Sequence, residues 1–147
     1  MQLLMFRYLC IVLMLIGCSD KPSLQREFID TSMSAKFVPV TFGEILANPD
    51  KFHSKQIEIE GYYEGGVEKS ALFKSRHAGN LKKAMWIEIG SRELKDSASG
   101  EKLGQSQEQS NIGNERYVRV RGIFDKNNTG HMDDYFGGID VWYFKIL

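Results

Sequence analysis

A histidine and several acids lie close together near the C-terminus, in the stretch NNTGHMDDYFGG at residues 127–138. His131, Asp133 and Asp134 stand between glycines, and Asp125 comes just before them. Imidazole and carboxylate groups can bind a metal or act as general acid and base. The same residue types also occur in polar turns between strands. The stretch therefore allows a metal site, an acid–base cluster or a turn.

Calcium is the most concrete of the metal hypotheses, because Asp125, Asn127 and Thr129 alternate before Gly130. An EF-hand loop also requires a bidentate Glu at its twelfth position. Counted from Asp125, that position is Phe136. The strongest calcium ligand is thus missing, and the spacing does not favour a calcium site.

A transition metal would need partners for His131, and only His53 and His77 are available in regions predicted to be unrelated loops. The mature chain would have no thiol to add. We therefore predict no metal and no cofactor, and we interpret the stretch as a hairpin turn. Gly130 and Gly138 are expected in left-handed conformations, with His131 forming a hydrogen bond across the turn.

The other candidate for chemistry is a pair of carboxylates, Glu58 and Glu60, two positions apart on one predicted strand. Paired carboxylates carry out glycoside hydrolysis. Arg119 and Arg121 show the same spacing on another strand, and cross-strand ion pairs are the simpler interpretation. No nucleophile elbow, zinc-protease motif or phosphate-binding glycine loop occurs. The sequence favours a protein that is not an enzyme and has no catalytic residues.

The elements that must position these residues are mainly strands. Apolar and polar residues alternate with the period-two pattern of a sheet with one buried face in KQIEIEGYY, MWIEI and YVRVRGIF, and SALFK and GIDVWYFKIL supply two further strands. In TFGEILANP, Thr41 and Glu44 have the spacing of a helix capping box, and Pro49 is expected to end that helix. The prediction is mainly β: a small five-stranded OB-like antiparallel barrel or curled sheet with one short N-terminal helix.

The N-terminus has the pattern of a secretory signal, with Arg7 followed by the apolar run Tyr8–Ile16, which is too short for a permanent span of the bilayer. The run ends in LIGC, which resembles the bacterial lipobox. That resemblance implies cleavage after residue 17 and a lipid on Cys18. Of the two cysteines, Cys10 would leave with the signal. Ser19 after the cysteine resembles the sorting signal of outer-membrane lipoproteins.

The predicted domain organisation is a signal peptide at 1–17, a lipidated N-terminus and flexible tether at 18–36, and a single β domain at 37–147. A long polar loop is expected at 91–114. The chain has 19 basic and 19 acidic residues, which argues against nucleic acid as a partner. One local basic stretch, KSRHAGNLKK, is either a solvated loop or a contact for lipid phosphates or an acidic partner.

Two motifs resemble those of a broad group of uncharacterised bacterial OB-fold-like exported proteins. EILANPDKFHSKQIEIEGYY is similar to the opening of that group, and YVRVRGIFDKNNTGHMDDYFGGI is similar to its closing hairpin. The resemblance implies a fold and no reaction. The polar segment 91–114 departs from OB folds that place a helix between the third and fourth strands.

Two functions from different classes follow as expectations. The first is a lipid-anchored, non-catalytic binding module in the bacterial envelope, attached to the outer membrane and facing the periplasm. Its ligand would lie on outward-facing Tyr62, Trp86 and Glu60, because OB-type surfaces often hold ligands on exposed aromatics, unless the tether or segment 91–114 covers them. The second is a tethered protein-interaction factor, either an assembly accessory or an inhibitor, which uses its loops. The partners would be the membrane and an unknown periplasmic protein or small ligand.

Overall fold

The computed structural model describes residues 26–30, 36–66, 68–76, 78–89, 93–99, 102 and 115–147. Outside the described residues lie the predicted signal peptide, the predicted lipidation site Cys18, His77 and most of segment 91–114. Within the described ranges, no helix has the length and apolar character needed to cross a bilayer.

The described chain consists of eight strands and two short helices. The strands are β1 Glu27–Ile29, β2 Val38–Pro39, β3 Gln56–Gly66, β4 Lys69–Phe73, β5 Met85–Glu88, β6 Lys95–Asp96, β7 Arg116–Asp125 and β8 Gly138–Ile146. The helices are α1 Phe42–Ala47 and α2 Pro49–Phe52, and 3-10 turns occupy Leu81–Lys83 and His131–Asp133.

Five of these strands close into a barrel in the order β3-β4-β5-β8-β7 and back to β3. Every contact around the barrel is antiparallel except that between β5 and β8, which is parallel. These are the five strands predicted from the sequence, and the first and fourth of them, β3 and β7, pair as expected. The predicted mainly β, OB-like barrel is confirmed.

Two glycines allow the barrel strands to bend and approach closely. A Cβ on Gly61 would lie 2.6 Å from the Phe73 carbonyl oxygen, at the point where β3 passes from β7 to β4. A Cβ on Gly122 would lie 2.2 Å from the Asp140 carbonyl oxygen, next to an irregularity in the β7–β8 register. Glycines and bulges of this kind give a sheet the curvature that closure requires.

The barrel interior is filled by the alternate residues that the period-two pattern assigned to it. The largest fully buried side chains of the main core are Tyr63, Phe28, Phe124, Phe144, Ile45, Ile57, Ile59, Leu72, Met85, Ile87 and Leu94. From the helices, Phe42, Ile45 and Phe52 pack against this core. Such burial of apolar area is the main favourable contribution to folding.

The capping box at the start of α1 is confirmed, since Glu44 N–H donates to Thr41 Oγ1 and Thr41 N–H donates to Glu44 Oε2. The prediction of one helix is wrong. Pro49 lies after the end of α1 and also begins α2, because proline suits the first helical position, where no backbone donor is needed. Asn48 caps that second helix by accepting from Lys51 N–H at 3.2 Å.

Two short strands correct the predicted domain boundaries. Strand β1 lies inside the segment predicted as a tether, pairs with β8 and β6, and buries Phe28 to 1% exposure. Strand β6 lies inside the predicted polar loop, and Leu94 just before it is also 1% exposed. Among its described residues, each segment buries one large apolar side chain. One side chain is too few to produce a periodic pattern, so the sequence did not reveal either strand.

Candidate functional site

The stretch that looked most like chemistry is the connection of a hairpin, as predicted. Strands β7 and β8 pair antiparallel up to Asp125 opposite Gly138. Gly130 has a φ of 65°, as expected, and Met132 and Asp133 also have positive φ values. Gly138 does not, so the prediction for Gly138 is wrong. It is restricted by close packing instead, because a Cβ there would lie 2.8 Å from the Asn128 side chain.

The polar groups of this loop satisfy one another rather than converging on a common point. Thr129 Oγ1 donates to Asp133 Oδ1 at 2.5 Å, and Asn127 N–H donates to Asp125 Oδ1 at 2.8 Å. His131 Nε2 points to a carboxylate outside the turn, with Glu68 Oε2 at 3.7 Å, a distance too long for a hydrogen bond. Among the described residues, no group of three or more His, Cys, Asp or Glu could hold a metal ion.

One histidine is placed differently from the prediction. His53 was assigned to an unrelated loop, yet its Nδ1 lies 3.3 Å from Asp125 Oδ1. The contact arises because backbone hydrogen bonds join the turn after α2 to the end of β7, with Ser54 N–H donating to the Phe124 carbonyl at 2.7 Å. The contact between His53 Nδ1 and Asp125 does not have the geometry of a hydrogen bond.

The hairpin loop covers Trp86, one of the three residues predicted to face a ligand. The Trp86 and Tyr135 ring centroids are 5.2 Å apart, and a Cβ on Gly130 would lie 2.8 Å from the indole. Together with Tyr62 and Leu81, these rings belong to a second small core on the outer face of β4 and β5, whose buried members are Ala71, Phe73, Ala84 and Tyr135. Trp86 therefore packs against the loop and is only partly exposed, and its role as a ligand-facing residue stays a prediction.

Lys82 contacts this hairpin loop from the basic stretch. Its Nζ donates to the Asp133 carbonyl at 2.6 Å and lies 3.8 Å from Asp134 Oδ1. In the same basic stretch, the Arg76 guanidinium lies over the Tyr62 ring at 5.6 Å and 3.6 Å from a Glu115 oxygen. Both side chains remain largely exposed, at 59% for Arg76 and 67% for Lys82, which agrees with the solvated-loop interpretation of the basic stretch.

A cleft of about 560 Å³ lies beside the outer face of β3. It is lined by Pro39, Val40, Thr41, Phe42, Gly43, Glu58, Ile59, Glu60, Lys74 and Tyr117. Of the three predicted ligand-facing residues, only Glu60 lines this cleft. Tyr62 lies at the next outward position and supports the wall, since its ring packs against Tyr117 with centroids 5.0 Å apart.

The cleft forms because neighbouring strands leave part of the β3 edge uncovered. Strand β2 runs parallel to the start of β3, and its last backbone bond is Val40 N–H to the Glu58 carbonyl at 2.9 Å. The chain then turns away at Thr41 into α1, whereas pairing with β4 begins only at Tyr62. The capping box of Thr41 and Glu44 indicated in the sequence that the chain leaves the sheet at this point.

The predicted cross-strand ion pairs form one wall of the cleft. Arg121 Nε donates to Glu58 Oε2 and Arg119 Nη2 donates to Glu60 Oε1, each at 2.5 Å. Tyr117 donates its hydroxyl to Glu60 Oε2 at 3.2 Å. Burial raises the pKa of Tyr117, and the bond to Glu60 raises it further, so the phenol remains a donor at neutral pH.

The cleft lining also includes the exposed Lys74, which forms no ion pair with another described residue. Phe42 and Val40 are apolar members of the same lining. The arrangement suits a small ligand with an apolar body and polar ends, because specificity in such clefts comes from a few fixed polar groups around an apolar lining.

Comparisons of this chain with protein-family models, with characterised proteins and with solved structures found no match. A fold such as the OB-like barrel hosts many unrelated functions. The function therefore depends on the geometry and chemistry of the site rather than on the fold.

Proposed function

We propose that this chain is a lipid-anchored lipoprotein of the bacterial envelope that acts as a non-catalytic binding module. The cleft beside Glu60 and Tyr117 would hold its ligand. The observation that carries the proposal is this concave surface on a closed barrel. Its lining combines ion-paired carboxylates, a phenol donor and an exposed lysine with apolar side chains.

The anchor is the first part of the proposal and rests on the LIGC sequence at residues 15–18. The described chain begins at Arg26, eight residues after Cys18, so the two lie at most about 28 Å apart at roughly 3.5 Å per residue. The domain would therefore stay close to the membrane. Ser19 supports the outer membrane, with the domain facing the periplasm.

Metabolic labelling with a clickable fatty acid tests the anchor. Wild-type protein should incorporate the label, and Cys18→Ser should not, because only the thiol accepts the lipid. Equal label on both proteins would overturn the anchor.

The cleft is the second part and is tested by recovery of ligands from the envelope of the producing cell. The wild type is compared with Glu60→Gln/Lys74→Gln, which changes the polar groups of the cleft, and with Glu68→Gln/Lys83→Gln at exposed positions outside it. We expect the cleft variant to lose a ligand that the control retains. Identical recovery from all three proteins would contradict a role for the cleft.

A specific observation also supports the alternative, a tethered protein-interaction factor. Met132 at the tip of the hairpin loop is 78% exposed and has a φ of 57°. An exposed methionine held in an uncommon backbone conformation is the kind of feature found at binding surfaces. In this case the loop, rather than the cleft, would contact the partner.

A further inference from the structure

A second groove of about 500 Å³ lies where β2 and β3 begin. It is lined by Lys36, Val38, Lys51, Phe52, Ser54, Lys55, Gln56 and Ile57. All of the charged residues in this lining are lysines. The groove is therefore a concentrated positive surface, distinct from the mixed-charge cleft beside Glu60.

The topology brings two of these lysines together. Strands β2 and β3 are parallel, with Val38 opposite Ile57. Lys36 precedes Val38 by two residues and Lys55 precedes Ile57 by two, so both lysines lie at the same end of the two strands and line the same groove. Like charges that lie close to each other are unfavourable, and a bound anion would relieve their repulsion.

Nearby carboxylates only partly offset the charge of the groove. Asp50 pairs with Lys126, and Glu44 accepts hydrogen bonds from Thr41, while Lys51 is close enough to help lower the pKa of Glu44. Within the described ranges, none of the three groove lysines forms an ion pair, and all three are exposed. Lys51 Nζ lies 5.2 Å from the centre of the Phe52 ring. The lysine is exposed, so its ammonium group can still contact an anion.

The groove also presents apolar surface, since Val38 is 54% exposed. Lysines around an exposed aliphatic side chain match a bilayer interface, where phosphates lie above the acyl chains. Lys36 is separated from Asp30 by at most about 21 Å of chain, and Arg26 is itself within about 28 Å of Cys18. The anchor would therefore hold this groove within reach of the membrane surface.

We propose that the groove of Lys36, Lys51 and Lys55 docks the domain onto the phosphates of anionic lipid headgroups. The proposal rests on the lipid anchor of the proposed function. Docking would fix the orientation of the barrel on the membrane. Each lysine near an anionic surface contributes roughly 1 kcal/mol to binding, which is about a fivefold change in the equilibrium between docked and free lysine.

The test uses the full chain as processed by its own cell, reconstituted into vesicles. One set contains phosphatidylcholine alone, and the other contains phosphatidylcholine with an equal amount of phosphatidylglycerol. A membrane-impermeant amine reagent modifies the exposed lysines, and mass spectrometry gives a rate for each. We expect Lys36, Lys51 and Lys55 to react about fivefold more slowly on anionic vesicles, while Lys83 and Lys145 react equally on both.

Variants and salt sharpen the comparison. Lys51→Gln/Lys55→Gln should abolish the protection of Lys36, whereas Lys83→Gln/Lys145→Gln, with the same change in charge, should preserve it. Protection should disappear at 1 M salt, where the screening length falls to about 3 Å. Equal rates on both vesicle types would overturn the proposal.

Two further outcomes are decisive. Inorganic phosphate that protects the three lysines equally well on neutral vesicles would assign the groove to a free anion and overturn membrane docking. The mass of the N-terminal peptide reports the lipid on Cys18 separately. An unlipidated chain that still shows groove protection on anionic vesicles would support docking while contradicting the anchor.

Discussion

The charged residues on the outer faces of β3 and β7 form a regular ladder. Glu58 lies opposite Arg121 and Glu60 opposite Arg119 in the strand register, and both pairs are hydrogen-bonded. Their side chains are 22–35% exposed, so solvent only partly screens them. The ladder joins the two strands and also shapes one wall of the cleft.

Reversing one side of this ladder should destabilise the domain. For Glu58→Arg or Arg121→Glu alone, we expect a loss of up to about 1 kcal/mol, because like charges would then face each other. The double reversal should recover much of this loss in a double-mutant cycle measured by chemical denaturation. Strictly additive losses would contradict the pairing.

A second prediction at the residue scale concerns alkaline pH. Burial, followed by a hydrogen bond with Glu27, raises the pKa of Tyr143 from 10.0 to about 12. The unfolded chain therefore loses this proton at lower pH than the folded chain does. The stabilisation is complete below pH 10 and is lost as the pH rises through about 12.

Chemical denaturation across this pH window should show a falling free energy of unfolding for the wild type. The fall should be shallower for Tyr143→Phe, which has no phenolic proton. Tyr63 and Tyr135, whose pKa values are also raised mainly by burial, contribute to the remaining fall in both proteins. Parallel pH profiles for wild type and variant would contradict this origin.

At the scale of elements, the sequence predicted those whose residues repeat a local rule. The capping box of Thr41 and Glu44 located α1, and alternation located three of the five barrel strands, β3, β5 and β7. Short β1 and β6 could not be found, because each depends on a single buried apolar side chain near it and on long-range pairing. The position of the hairpin loop over Trp86 was equally hidden, since it depends on contacts between Gly130, Tyr135 and the indole.

The hairpin loop should be sensitive at Gly130. Its φ of 65° and ψ of −156° are accessible almost only to glycine, and a Cβ would meet Trp86 and Tyr135. Gly130→Ala should cost about 1–3 kcal/mol in thermal or chemical unfolding and expose Trp86 to solvent, which shifts its fluorescence to the red.

Gly43→Ala is the matched control, because the nearest atom to its added Cβ is 3.9 Å away and alanine favours a helix by about 0.5–1 kcal/mol. A Gly130→Ala protein as stable as the wild type would show that the loop does not pack on the indole.

Strand β1 should be part of the folded domain rather than a tether. Phe28→Ala should lower the free energy of unfolding by about 3–5 kcal/mol, as expected for a large core side chain. Leu46→Ala, at an exposed position on α1, should change it by less than about 0.5 kcal/mol. Equal stability of the Phe28→Ala variant and the wild type would restore the tether interpretation.

At the scale of the whole molecule, the barrel could be predicted because alternation, turn positions and the matching Glu and Arg spacing all favoured the same pairing of β3 with β7. The cleft could not be predicted from outward-facing aromatics. Tyr62 and Trp86 were candidates because their positions alternate with buried residues, but alternation shows only which side of a sheet a residue faces. It does not show what covers that side.

The molecule therefore has two concave surfaces with different chemistry. The mixed-charge cleft beside Glu60 would bind the ligand, and the lysine groove beside Lys55 would hold the domain against the membrane. The hairpin loop with Met132 is the competing contact surface. These three surfaces can be distinguished because each has an exposed residue that accepts a probe without disturbing the core.

Site-specific photocrosslinking in the native envelope tests the central claim most directly. A photoreactive amino acid is introduced at Lys74 in the cleft, at Met132 on the loop, or at exposed Lys83 as a control. The account predicts a specific adduct at Lys74 that Glu60→Gln weakens, and none at Lys83. An adduct at Met132 alone, or equal background at all three positions, would contradict binding through the cleft.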